Sequence, residues 1–159
     1  MESSDRRRIV VELDQEFAGL LQNLQALTKS VGQERLYRSP PVASVGENIV
    51  RSAAVLEQTF GGLMANLWDD PFEWTLPESL STPEKLIDYL SEVDAARQRV
   101  FCAIVEDSDL LKYISVPSGE PTHLLKLLLE TLVRASNYQG RAVATLKLLS
   151  EVTAPGFII

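Results

Sequence analysis

A single histidine, His123, and a single cysteine, Cys102, are the residues of this chain best suited by type to chemistry, and neither has the company that chemistry needs. A nucleophilic thiol requires a base or cation nearby to lower its pKa. Cys102 instead sits in the run Val100, Phe101, Cys102, Ala103, Ile104, which predicts a partly buried helix thiol. One imidazole with no second cysteine cannot make a zinc-type site, so His123 is expected as a surface or loop-packing residue. Glu92 with Asp94, and Glu106 with Asp107 and Asp109, are carboxylate sets suited to a hard cation. A di-metal carboxylate bundle, however, carries Glu-x-x-His motifs on two helices, and the sequence has none. These acids are read as solvated helix faces and ends. Gly-rich phosphate loops, a Gly-x-Ser-x-Gly elbow and a Ser/His/Asp set are absent. Without histidine as base, a serine nucleophile would need a lysine. Lys112, Lys126 and Lys147 show no suggestive serine pairing.

The whole-chain properties narrow the field further. The 159 residues suffice for one domain with a real core and are too few for two comfortable ones. With 45% apolar and 23% charged residues the balance is globular, not disordered. A net charge of -7 opposes binding to phosphate backbones, and acids flank the one basic run, Arg6 to Arg8, on both sides. No nucleic-acid role is expected. No stretch approaches the roughly 18 apolar residues of a membrane span, so no membrane role is expected either. The arginines followed by Ile9, Val10 and Val11 fall short of a secretory leader, because Glu12, Asp14 and Glu16 end the apolar run. The lone cysteine permits no internal disulfide, which fits a reducing cytoplasm. There is no internal repeat and no low-complexity tract.

The elements that would position any site are four amphipathic helices, expected at about 4–30, 44–69, 82–107 and 121–152 of a single domain spanning 1–159. In the first, Val10, Leu13, Phe17, Leu20, Leu24, Leu27 and Val31 recur at steps of three and four, one helix face. The connection after it carries Pro40 and Pro41. The second starts at a Ser44-x-x-Glu47 capping box, with Val45, Ile49, Ala53, Leu56, Phe60, Leu63 and Leu67 as its stripe. Gly61 and Gly62 weaken that helix by up to about 1 kcal/mol each, and predict close helix packing more than a hinge. Pro71 follows its end near Asp70.

The segment from Asp70 to Ser81 carries Pro71, Phe72, Trp74 and Pro77 and is too apolar to float in water. At about 3.3 Å per extended residue it can run the length of the bundle and leave helices two and three parallel. Thr82-Pro83-Glu84 starts the third helix, whose stripe includes Leu86, Leu90, Val93, Val100 and Ile104. Tyr113 to Val116 suggests a short extended piece. The run Leu124 to Leu129 is apolar on nearly every face, which predicts a central fourth helix. Pro155 and Gly156 end it, and the tail Phe157, Ile158, Ile159 calls for burial on the domain or on a partner.

Three of these segments, in order and spacing, resemble DinB-like proteins over roughly residues 10 to 150. They are Ser44-Val-Gly-Glu-Asn-Ile-Val-Arg-Ser52-Ala-Ala-Val-Leu-Glu57, Ser81-Thr-Pro-Glu-Lys-Leu-Ile-Asp-Tyr-Leu, and Arg134-Ala-Ser-Asn-Tyr138-Gln-Gly140-Arg141 with the apolar stretch after it. The resemblance implies an all-α, four-helix bundle with up-down-down-up topology, often dimeric. It also implies a divalent metal held by three histidines, one on helix two and a His-x-x-x-His pair on helix four. Some relatives are metal-dependent thiol transferases.

In this chain the helix-four positions read Arg134 and Tyr138, and the helix-two position reads Ser52, or Arg51 if the register slips by one. None is a divalent-metal ligand at neutral pH, and a guanidinium beside the ion would repel it. The expectation is therefore a metal-free DinB-like bundle with no cofactor, homodimeric, acting as a small-ligand-binding or protein-interaction module. Ser52, Arg134 and Tyr138 are its candidate ligand-binding residues, and an anionic or polar molecule is the candidate ligand. The alternative is a metal-dependent thiol transferase-like enzyme. The plainer arrangement for the same residues pairs Arg134 with Glu130, one turn earlier, or with an acid on another helix, and leaves Tyr138 filling the core.

Overall fold

A computed structural model describes residues 5–38, 42–74, 78–117 and 119–149, without the side chains of Glu73 and Trp74. Its long helices are α1 (Arg8–Val31), α3 (Val45–Ala65), α5 (Pro83–Ala103) and α6 (Leu124–Leu149). Single-turn helices α2 (Gln33–Leu36) and α4 (Pro71–Trp74) punctuate the connections. After α5 come a 3-10 turn at Asp107–Leu111 and a minimal antiparallel hairpin, β1 (Tyr113–Ile114) with β2 (Thr122–His123). Among the described residues no helix is long and apolar enough to cross a membrane.

Side-chain partners fix the relative directions of the helices. Arg7 donates to the Phe101 carbonyl and Arg97 pairs with Asp14, so α1 and α5 run antiparallel. Ser52 meets Ala135 and Thr59 meets Thr131, so α3 and α6 are antiparallel. Tyr89 bonds to Glu57, while Val93 and Ala96 lie beside Gly61 and Met64, so α3 and α5 run parallel. The order is up-down-down-up, and the connection over 66–82 must travel the length of the bundle to produce it. Within that connection Phe72 packs on the core while the Arg51 guanidinium lies over its ring at 3.9 Å.

The periodic stripes are the core. Every residue of the α1 stripe is buried, as are Val45, Ile49, Ala53, Leu56 and Phe60 of α3 and Leu86, Leu90, Val93 and Val100 of α5. At the centre Phe17 packs on Phe60 (ring centroids 5.5 Å apart) and Phe101 (5.7 Å). Ser44 accepts from the Glu47 N–H at 3.0 Å, as its capping position requires. The reciprocal half of the expected box gives way to an ion pair, because the Glu47 carboxylate turns to Arg51. Thr82 caps α5 in the same manner, accepting from the Lys85 N–H, with Pro83 opening the helix.

Helix ends differ most from expectation. α3 stops at Ala65, not near 69, because Asn66 adopts a left-handed conformation (φ 55°) and its N–H returns to the Gly61 and Gly62 carbonyls. Leu67, read as the last member of the stripe, is consequently 62% exposed. α5 stops at Ala103, not 107. Asp107 lies outside it and its carboxylate accepts the Ile9 and Val10 N–H groups, which caps the start of α1. Cys102 is exposed rather than partly buried, since Val100 and Phe101 take the inward positions of that turn. α6 packs chiefly on α3 and does not lie at the centre of the bundle, because Leu129, Val133 and Leu148 face outward. Ser4, Pro40, Pro41, Pro77, the Trp74 side chain, the end of the fourth helix to 152, Pro155, Gly156 and the tail Phe157 to Ile159 lie outside the described residues.

Candidate functional site

The α3–α6 interface carries a line of polar contacts inside an otherwise apolar core. Ser52 is fully buried and its hydroxyl donates to the Ala135 carbonyl at 2.7 Å. One turn and more along, the Thr59 and Thr131 hydroxyls share a buried hydrogen bond of 2.7 Å. Gln139 donates across the core to the Leu20 carbonyl, and Thr145 donates to the Ala43 carbonyl. Buried polar groups that are matched in this way cost the fold little and hold one helix register against another.

The three candidate residues do not converge. Arg134 is exposed, and its guanidinium donates to the Gln58 side-chain oxygen at 3.5 Å. Tyr138 is half-buried against the core, with the Arg141 guanidinium 5.2 Å from its ring centroid. Ser52 faces Ala135, and Thr131 of the same α6 face bonds to Thr59, so Arg134 and Tyr138 stand to the side of that interface. Arg51, the other register, is engaged by Glu47 and Phe72. The predicted pairing of Arg134 with Glu130 is not formed; Glu130 takes Lys126 instead, at 3.7 Å.

The metal that the resemblance implies does not fit these residues. The donor set comprises one hydroxyl already bonded, one half-buried phenol and one guanidinium, and they point to different neighbours. Glu57, a carboxylate of α3 after Ser52, accepts a hydrogen bond from the Tyr89 hydroxyl. Burial, reinforced by that carboxylate, pushes the Tyr89 phenol well above its ordinary range. Among the described residues no group of three or more His, Cys, Asp or Glu is placed to hold a metal ion. His123 is engaged elsewhere, donating to the Leu111 carbonyl at 2.7 Å with its ring stacked on Tyr113.

Arg134 does line a groove, on the flank of α6 nearest the hairpin. A groove of about 610 Å³ runs between α3, α6 and the residues Val116, Pro117, Glu120 and Thr122. Gln58, Trp68, Thr122, Lys126, Glu130 and Arg134 supply its polar and aromatic lining. Trp68 is set there by Gly62. A Cβ at Gly62 would lie 2.2 Å from the indole, so only glycine lets the ring rest on the helix. The close packing expected at Gly62 is thus present, but against a loop tryptophan and not a neighbouring helix. Gln58 locks the loop in turn, donating to the Trp68 carbonyl at 2.8 Å while its side-chain oxygen receives Arg134.

The fold is similar to that of a solved DinB-like protein from Bacillus cereus. The TM-score is 0.69 at 16% sequence identity, covering 92% of this chain and 95% of that one. The chain has the DinB-like fold. No family model matches the sequence, and no curated protein matches it. Within the DinB-like fold, Gln58, Trp68, Thr122 and Lys126 are the groove residues that sequence reasoning missed. One signal was available for Trp68: an adjacent glycine pair six residues before an otherwise unassigned tryptophan.

Proposed function

We propose that this chain is a metal-free DinB-like bundle that binds a small anionic or polar molecule in the Arg134 groove, as a cytoplasmic binding module. The observation that carries the reading is Arg134 itself. Its guanidinium lines a formed groove, and among the described residues no carboxylate lies within ion-pair distance of it. A guanidinium with five donors and only one long contact to a neutral amide has its fork open to a carboxylate or phosphate. Ser52 serves the α3–α6 interface in this account, and Tyr138 the packing beside it.

Thermal unfolding tests the reading. Millimolar acetate or phosphate should raise the melting temperature of the wild type, because a ligand that binds only the native state stabilises it. Arg134→Gln should abolish the rise. Equal stabilisation of both proteins, or none of either, would remove Arg134 from the account.

The same reading makes the chain a homodimer. It is supported by Val133 and Leu148, which are 69% and 72% exposed and lie with Leu129 on one side of α6. Sedimentation equilibrium at micromolar concentration should report a dimer; particles of monomer mass alone would refute it.

A further inference from the structure

The Arg134 groove is more than an anion site, because one wall of it is an indole held in place. Resting on the proposal that Arg134 binds a ligand, we infer that the groove takes an aromatic carboxylate. Three observations define the class. First, the Trp68 ring rests on Gly62, its backbone carbonyl is tied to Gln58, and the ring and the Arg134 guanidinium line the same groove. Val116, Pro117 and Leu127 continue the apolar lining around it. A planar ring stacks favourably on such a surface, offset or edge-on.

Second, the charges favour a single negative group. Lys126 is paired with Glu130, and Glu120 lines the same groove. Two carboxylates near the site repel a dianion more than a monoanion, which disfavours a phosphate ester relative to a carboxylate. Third, the groove has room for a ring beside the guanidinium. The volume of about 610 Å³ accommodates a molecule of one or two rings.

The test titrates the full chain calorimetrically with three probes: benzoate, acetate and benzyl alcohol. Benzoate should bind about tenfold or more tightly than acetate, the ring supplying the difference. Benzyl alcohol, which has the ring without the charge, should bind at least about tenfold more weakly than benzoate. Arg134→Gln should weaken both carboxylates by about tenfold or more. Trp68→Ala should bring benzoate down to the acetate level and leave acetate within about twofold. Gly62→Ala should do the same by displacing the indole, while adding a better helix former to α3, so the result does not hinge on one variant. Benzoate and acetate binding equally, both dependent on Arg134, would overturn the aromatic assignment and leave the anion reading standing. Benzoate binding that ignores Arg134→Gln or both Trp68→Ala and Gly62→Ala would place it outside the groove and overturn the inference. No binding of either carboxylate would overturn both.

Discussion

Replacing Phe17 with alanine should lower the unfolding free energy by about 3–5 kcal/mol, the largest single-residue effect expected in the molecule. Phe17 is fully buried and is the ring that both Phe60 of α3 and Phe101 of α5 approach within 6 Å. Its removal forfeits the transfer free energy of the ring and leaves a cavity where three helices meet, and rigid helices collapse only partly into such a space. In a domain of this size the melting temperature should fall by roughly 6–20 °C. Phe17→Leu keeps most of the volume and should cost about half as much or less. Urea unfolding with unchanged m-values checks both. An alanine variant within 1 kcal/mol of the wild type would show that the aromatic cluster is not the centre of the core.

The second large effect falls on Arg97. Its side chain is buried between Asp14 of α1 and Asp94 of its own helix, donating to Asp94 at 2.8 Å and paired with Asp14. Burial lowers the guanidinium pKa, but the Asp94 hydrogen bond and the attraction of Asp14 outweigh it, so the net shift is upward. Arg97 therefore stays charged at any accessible pH. Arg97→Met should cost about 2–4 kcal/mol, because it leaves two carboxylates facing each other with no cation between them. The cost is set below the extreme for buried pairs, as both carboxylates keep about a third of their exposure. Adding Asp14→Asn and Asp94→Asn to Arg97→Met should recover most of the loss, since an uncharged, packed triad needs no counterion. Failure of the triple variant to recover would mean that the ion pair, and not relief of unpaired charge, stabilises the α1–α5 contact.

The helices themselves were legible because burial imposes a period on sequence. Val10 to Val31 and Val45 to Phe60 show it without interruption, and the caps at Ser44 and Thr82 mark where it begins. Ends were less legible where a local conformation overrides the pattern. Asn66 stops α3 by turning left-handed, and Asp107 leaves the α5 register to cap α1. The site was legible only in part. The resemblance points to Arg134 and Ser52 together, whereas Arg134 lines a groove and Ser52 is bonded to Ala135. The reason lies in α6. Its apolar residues over 124–129 occur around so much of the helix that periodicity does not fix its rotation, so nothing in the sequence says that Thr131, Ala135 and Gln139 turn inward while Arg134 turns out. The aromatic wall was invisible for a different reason: Trp68 reaches the groove through a backbone turn at Asn66 and a missing Cβ at Gly62, and neither has a periodic signature.

The most direct measurement is one titration: zinc and then acetate into protein purified without chelator, wild type beside Arg134→Gln. A serine hydroxyl and a neutral phenol are weak ligands for a divalent ion, and a guanidinium offers donors only. The expected result is no one-to-one zinc binding to either protein, and acetate binding that the wild type shows and Arg134→Gln loses. Tight stoichiometric zinc binding that disappears when Ser52 or Tyr138 is replaced would contradict the account and favour the metal-dependent thiol transferase-like enzyme.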